Sequence, residues 1–251
     1  EKQNNSIPLD IRLFRSKFFK LLGKKVVFFR VGIDIKDVSN IKKIKKIFSK
    51  IESISVRDTY SYNLLKNLWI KSTLKKDPVF YDTGKDIRKS YLLKKVDSYR
   101  FSYKDLENID IKWKTIGIAL RKWFLSNNTS NIADKMEEWK LNEMINFILE
   151  SDSEIILLPH SFHKTDIEVN DYVFLKQFLR KNLWEKHTKK ISISESMQET
   201  YKIYKTKKID ICLSQRLHSM ILSQIYEIPF IGISYSRKTK EVLENFEKMK
   251  T

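Results

Sequence analysis

Ile209 to Lys238 reads IDICLSQRLHSMILSQIYEIPFIGISYSRK, and its punctuation decides the fold class. A short apolar run, Ile209 to Leu213, ends in the polar pair Ser214-Gln215. Arg216 and His218 follow at once, and Ser219 opens an apolar, helix-like segment to Ile225. A second apolar run, Pro229 to Ser234, leads into Arg237 and Lys238. The lengths and breaks predict strand, turn, helix, strand. Arg216, His218 and Lys238 then stand at the carboxyl ends of two strands, where open α/β sheets bind ligands. Two fixed cations and one titratable ring beside a helix N-terminus suit a small anion.

The same alternation extends outward. Upstream, strands are expected at Lys25 to Val31, Ser53 to Val56, Thr115 to Leu120, Glu154 to Leu158 and Lys189 to Ile193. Helices are expected at Ile41 to Ile51, Thr59 to Trp69, Met136 to Leu149, Tyr172 to Arg180 and Ser196 to Tyr204. Ile41, Ile44, Ile47 and Phe48 share one helix face, and Asp58 or Thr59 caps the next helix. Asp77-Pro78-Val79-Phe80 is expected to be extended, because proline restricts the residue before it. Strand alternating with helix argues for parallel sheets. Residues 81–113 are rich in Lys, Asp and Tyr and weakly periodic, so the domain junction is placed there. The expected domains are residues 1–110 and 111–251. Residues 1–80 hold only two confident strands, so the N-terminal domain is expected to lack a portion or to be a short version.

The chain has 251 residues, of which 41% are hydrophobic, enough for one large or two small cores. No apolar run reaches the length of a membrane span, and the polar start, Glu1 to Ser6, has no signal-peptide core. The single cysteine, Cys212, lies in an apolar run and reads as a buried small side chain. The net charge of +18 suits an anionic membrane surface or nucleic acid. However, the lysines are spread along solvated helix faces, and Lys, Ile and Asn abound throughout, as an AT-rich genome produces.

No dinucleotide-binding glycine loop, P-loop or nucleophile elbow is present. No zinc finger or aromatic RNA-binding strand supports nucleic-acid recognition. His160 and His163 are loosely spaced, with Asp166 and Asp171 beyond, and read as a loop lining a cleft; no metal is expected. Arg57 follows the strand Ser53 to Val56 at a helix start. It can grip a carboxylate or phosphate bidentately, or pair with an acidic neighbour. Arg216 and His218 carry the same choice between ligand contact and a capped, surface role.

Ser53-Ile54-Ser55-Val56-Arg57-Asp58, followed by Ser61 and Leu64, resembles a block of the polysaccharide pyruvyl transferase family. Asp77-Pro78-Val79-Phe80 resembles that family's next block, and Ile116 to Arg121 its first second-domain strand. Arg216-Leu217-His218-Ser219, then Ile228-Pro229, Ser234-Tyr235 and Lys238, resemble its most specific signature. The order is right over roughly residues 20–245. The resemblance implies two Rossmann-like domains facing a cleft, as in GT-B glycosyltransferases. It implies transfer of a pyruvyl group from phosphoenolpyruvate to a sugar of a cell-surface polysaccharide or its lipid-linked precursor. Arg57, Arg216 and Lys238 would then bind the donor's phosphate and carboxylate. His218 would protonate the enol or hold the phosphate. No cofactor is implied. The acidic turn usual near the family's start has no counterpart here, so no general base is assigned. The expected location is cytoplasmic, peripheral to an anionic membrane face. Two rivals remain: a GT-B glycosyltransferase using a nucleotide sugar, and a basic binding module without catalysis.

Overall fold

The computed structural model describes residues 18–33, 41–79, 89–97, 100–121, 142–163, 170–182 and 190–249, together with Arg15. The chain divides into two compact units, Glu1–Gly84 and Lys85–Thr251.

The first unit is built on a parallel sheet of β1 (Val27–Val31), β2 (Ser53–Val56) and β3 (Thr73–Leu74), in that order. Period-two patterning shows in β2: Ile54 and Val56 are buried while Ser53 is exposed. Two helices, α1 (Ile41–Phe48) and α2 (Thr59–Asn67), accompany the sheet. Phe48, Ile54, Val56, Leu65 and Leu68 form its core. Asp58 caps α2, its carboxylate accepting from the Ser61 amide at 2.7 Å. The Ser61 hydroxyl in turn accepts from the Ile33 amide at 2.8 Å. The cap therefore ties the end of β1 to the start of α2.

The second unit carries a six-stranded parallel sheet of β4 (Leu92–Asp97), β5 (Thr115–Ala119), β6 (Glu154–Leu157), β7 (Ile191–Ile193), β8 (Ile211–Ser214) and β9 (Phe230–Ser234). The strand order is β4-β9-β8-β5-β6-β7. Between the strands run α3 (helical over residues 142–150), α4 (Asp171–Asn182), α5 (Met197–Lys205) and α6 (Leu217–Ile225). The last helix, α7 (Arg237–Lys248), follows β9. All four residues of β8 are buried, which is why it reads as a continuous apolar run. Ile116, Ile118, Leu157, Leu213, Ile231 and Ile233 meet Met144, Ile145 and Ile148 in one core. The chain leaves β5 for β6 and β7, then returns to lay β8 along the other side of β5. Connections after β5 and β8 thus depart in opposite directions, and a crevice opens at the carboxyl ends of such strands.

The elements expected from the sequence are present where they are described, with differences that have physical causes. The units divide at Gly84–Lys85, inside the stretch 81–113 expected to hold the junction but ahead of the expected boundary at 110, because β4 pairs with β9 in the second sheet. Leu92 and Val96 are buried four residues apart, with Leu93 and Lys94 exposed between them. A register shift between Leu92 and Lys94 erased the strand period. Lysines on this edge pair with carboxylates, Lys94 with Asp105 and Lys95 with Glu247, each at 2.6 Å. Of the stretch expected to be extended from Asp77, Pro78 and Val79 are not: the Asp77 carboxylate accepts from the Val79 amide at 3.1 Å, closing a turn through Pro78. Phe80, His187 and residues 136–141 of the expected third helix lie outside the described residues.

Helix ends shift by one to three residues. The chain has only five glycines, so non-glycine residues close the helices. Trp69, Lys207 and Glu227 take left-handed φ values of 59°, 51° and 59°. The following amides donate back to Leu65, Ile203 and Ser223 at 2.9–3.1 Å, as in a Schellman motif.

One glycine is fixed by packing. A Cβ on Gly232, in the middle of β9, would stand 2.1 Å from Cδ2 of Leu243, a fully buried residue. Gly232→Ala is expected to destabilise the fold by about 1–3 kcal/mol through overpacking, read from the midpoint of urea unfolding.

Candidate functional site

The turns after β5, β8 and β9 meet at the carboxyl edge of the second sheet. After β8, the Gln215 amide donates to Ala119 O at 3.0 Å. The Gln215 side-chain oxygen accepts from the Arg121 amide at 3.0 Å. The buried Gln215 therefore locks the turn after β8 to the turn after β5. The Arg121 guanidinium crosses to the turn after β9. It lies 5.0 Å above the Tyr235 ring centre and donates to the Tyr235 hydroxyl at 3.1 Å.

Arg216 is the N-cap of α6, with φ −79° and ψ 132°, and its side chain caps nothing in its own helix. Its guanidinium turns instead to Asp171, the first residue of α4. Nε donates to Oδ2 at 2.7 Å, and Nη2 pairs with Oδ1. Asp171 is 1% exposed, and its Oδ2 also accepts from the His160 amide at 3.2 Å. Burial pushes the Asp171 carboxyl above its ordinary range, and the Arg216 hydrogen bond opposes that shift. The Arg216 side chain keeps 18% of its surface.

His218 is the second residue of α6 and is exposed. Beneath it lies a polar cluster in an otherwise apolar core. The Ser219 hydroxyl stands 2.7 Å from the Tyr204 hydroxyl and 2.7 Å from that of Ser214. His160 Nε2 reaches the same Tyr204 hydroxyl at 3.2 Å. Burial pushes the Tyr204 phenol well above its ordinary value, so it stays protonated. Cys212 is buried as expected, yet its sulfur accepts from the Ser214 hydroxyl at 3.2 Å.

After β9, Ser236 caps α7 and exchanges hydrogen bonds with the buried Thr239. Arg237 and Lys238 occupy the first two positions of that helix. Neither α6 nor α7 has an acidic residue in its first turn. Both helix N-termini therefore keep their positive end unneutralised by acids of their own.

In the first unit, Arg57 follows β2, its amide donating to Val31 O at 3.3 Å. Its Nη1 donates to Asp77 Oδ2 at 2.9 Å. Asp77 is buried and Arg57 half-buried. A Cβ on Gly32 would stand 3.2 Å from Arg57 Nε, so Gly32 leaves room for the guanidinium at the end of β1.

Of the four residues singled out from the sequence, Arg216, His218 and Lys238 lie in the second unit, at the starts of helices that follow the neighbouring strands β8 and β9. Arg57 lies in the first unit, at the same strand-end position. Both arginines have an aspartate partner within the chain. Asp171, Arg121 and Tyr235 stood in the sequence motifs without a role in the site being assigned to them. Arg121 carried a usable signal, an arginine directly after an apolar strand. Asp171 carried none, since Asn170-Asp171 before an apolar helix reads as an ordinary cap. His160 lies beside Asp171 and Tyr204 through its amide and its Nε2. Among the described residues, no group of three or more His, Cys, Asp or Glu could hold a metal ion. Among them, too, no helix is long and apolar enough to cross a membrane.

The arrangement brings together fixed guanidinium groups, helix amides and an exposed imidazole, groups of the kind that can hold an anion and move a proton. Burial, then the charges of His218 and Arg216, push His160 from 6.5 down to about 3. It is neutral at pH 7. Its contribution to stability is fully present above its unfolded value and is lost as pH falls, because the unfolded chain takes up the proton first. Between about pH 6 and pH 4, His160→Gln should lower the slope of unfolding free energy against pH by about 1.4 kcal/mol per pH unit. Urea unfolding across that range checks this.

The model of the polysaccharide pyruvyl transferase family matches residues 2–237. No curated protein matches the chain. That match spans both units and takes in the strand-end arginines, His218 and the start of α7, so the chain belongs to the polysaccharide pyruvyl transferase family and is a transferase.

Proposed function

We propose that this enzyme transfers the pyruvyl group of phosphoenolpyruvate to two hydroxyls of a sugar, forming a ketal and releasing inorganic phosphate. The observation that carries this reading is the pairing of Arg216 with His218 at the start of α6. There a fixed cation and a proton donor stand together beside the β5–β8 crossover.

In this reading Arg216 and Lys238 bind the phosphate and carboxylate of the donor, helped by the amides opening α6 and α7. His218 gives its proton to the methylene carbon, which becomes the methyl group. Positive charge develops at the neighbouring carbon, and the carboxylate and bound phosphate offset it. One sugar hydroxyl adds to that carbon, and the carbon–oxygen bond to phosphate breaks. The second hydroxyl then adds to close the ketal. Two hydroxyl protons leave the sugar; the balance is one proton gained by the methyl carbon and one by phosphate.

The two units are proposed to face one another across a cleft in the GT-B manner, with Arg57 supplying a further contact to the donor. Support comes from the parallel construction: in each unit an arginine follows a strand and is held by a buried aspartate. The acceptor is a cell-surface glycan or its lipid-linked precursor. The proposed place of action is the cytoplasmic face of an anionic membrane, which the net charge of +18 suits. No bound metal or cofactor and no nucleic acid enter this scheme.

Phosphoenolpyruvate is expected to raise the melting temperature and to bind by calorimetry, while UDP- and CMP-sugars do not. Binding of a nucleotide sugar alone would favour a glycosyltransferase. His218→Ala should lower phosphate release by about 10²–10⁴-fold with donor affinity little changed. Arg216→Ala should weaken donor binding strongly instead. Near wild-type turnover by His218→Ala would remove its role as the acid.

A further inference from the structure

We infer that Asp171 is a positioning residue, which fixes the plane of the Arg216 guanidinium and thereby sets the enzyme's affinity for its anionic donor. The inference rests on the proposed binding of phosphoenolpyruvate by Arg216.

A guanidinium has five N–H donors in one plane. Asp171 takes the edge formed by Nε and Nη2. Nη1 makes no contact with Asp171 and belongs to the edge left for a ligand. Without a second contact, an arginine on the first turn of a helix would rotate about its side-chain bonds and lose entropy on each binding event. Two parallel hydrogen bonds remove that freedom in advance.

Three observations separate this role from other uses of a buried carboxylate. First, Asp171 is not needed to cap α4. Asn170 does that, its side-chain oxygen accepting from the Val173 amide at 3.0 Å and its Nδ2 donating to His163 O at 2.8 Å. Second, Asp171 is not an occupant that the donor would displace. Oδ2 is shared between Arg216 Nε and the His160 amide, and the residue is 1% exposed. Leaving would take from the half-buried His160 amide its carboxylate partner. Third, a buried ion pair is a poor device for stability, since desolvation offsets its attraction and an apolar pair can serve as well. What it provides is direction, and Arg216 is the one member of the pair with surface left to use.

Asp171→Asn keeps the size of the side chain but replaces one acceptor oxygen by an NH₂ that faces another donor. The dissociation constant for phosphoenolpyruvate is expected to rise by about 10- to 100-fold, and the donor KM with it. The rate at saturating donor should change by less than about threefold, since the acid is untouched. In an Arg216→Ala background the same substitution should add almost nothing, because a positioning residue has no target there. A purely structural role would lower the saturated rate and the affinity together, and would persist in that background; either result overturns the inference. Unchanged affinity in a folded Asp171→Asn variant overturns it while leaving the function standing. Absence of donor binding by the unaltered enzyme overturns both.

Should Asp171→Asn fail to fold, the unaltered enzyme still gives an answer. The Arg216 Nε–H signal in ¹H–¹⁵N spectra should exchange slowly and remain in place when phosphoenolpyruvate saturates the site. Its loss on donor addition would mean that the donor displaces Asp171, and would overturn the inference.

Discussion

The pairing of β5 with β8 is the constraint on which the second unit depends. Ile116 to Ala119 run beside Ile211 to Ser214 in register, and each strand feeds the chain away in a different direction. Gly117 leaves room for the side chains that pack over this pair. A Cβ there would stand 2.7 Å from Ile209 and 2.8 Å from Leu158. Once the two strands are paired, their following turns must lie side by side, and the Gln215 side chain joins them through the Arg121 amide. The site is thus a consequence of strand order: Arg121 and Arg216 are 95 residues apart in sequence, yet the order of two strands makes them neighbours.

Polar chemistry under this edge is unusual for a sheet core. Tyr204, Ser214, Ser219, Cys212 and His160 share hydrogen bonds where an apolar interior would be expected. Each member is satisfied by another, which is what makes their burial tolerable. The cluster holds the first turn of α6 from below, while Asp171 holds Arg216 from the side. An exposed His218 on so firmly seated a turn can present a proton donor without the turn itself having to reorganise.

Much of the second unit was legible in the sequence because its central strands are buried on both faces. Runs such as Ile211 to Leu213 and Phe230 to Ile233 announce themselves by continuous apolarity, and Asp58 and Ser196 announce helix starts by their caps. What was not legible has local causes. The edge strand β4 carries Lys94 and Lys95 and a register shift, so its period is not that of a strand. Helix α7 opens with Arg237-Lys238-Thr239-Lys240, where the charge outweighs the apolar signal of Leu243 and Phe246. Helix ends had no glycine to mark them. For the site, strand-end arginines could be read from position alone. Their partners could not, because Arg216–Asp171 and Arg57–Asp77 join segments 45 and 20 residues apart. Sequence alone left ligand contact and internal pairing as alternatives for these arginines. The structure shows the internal pairing, and a guanidinium with one edge held can still offer the other.

The central claim is that the edge formed by β5, β8 and β9 receives an anionic donor. A crystal structure of the enzyme soaked with phosphoenolpyruvate tests it most directly. The account predicts phosphate or carboxylate oxygens within hydrogen-bond distance of the free edge of Arg216, over the N-terminus of α6, with the methylene carbon toward His218. Phosphoenolpyruvate bound on another face, or a site left unoccupied at saturating concentration, would contradict it.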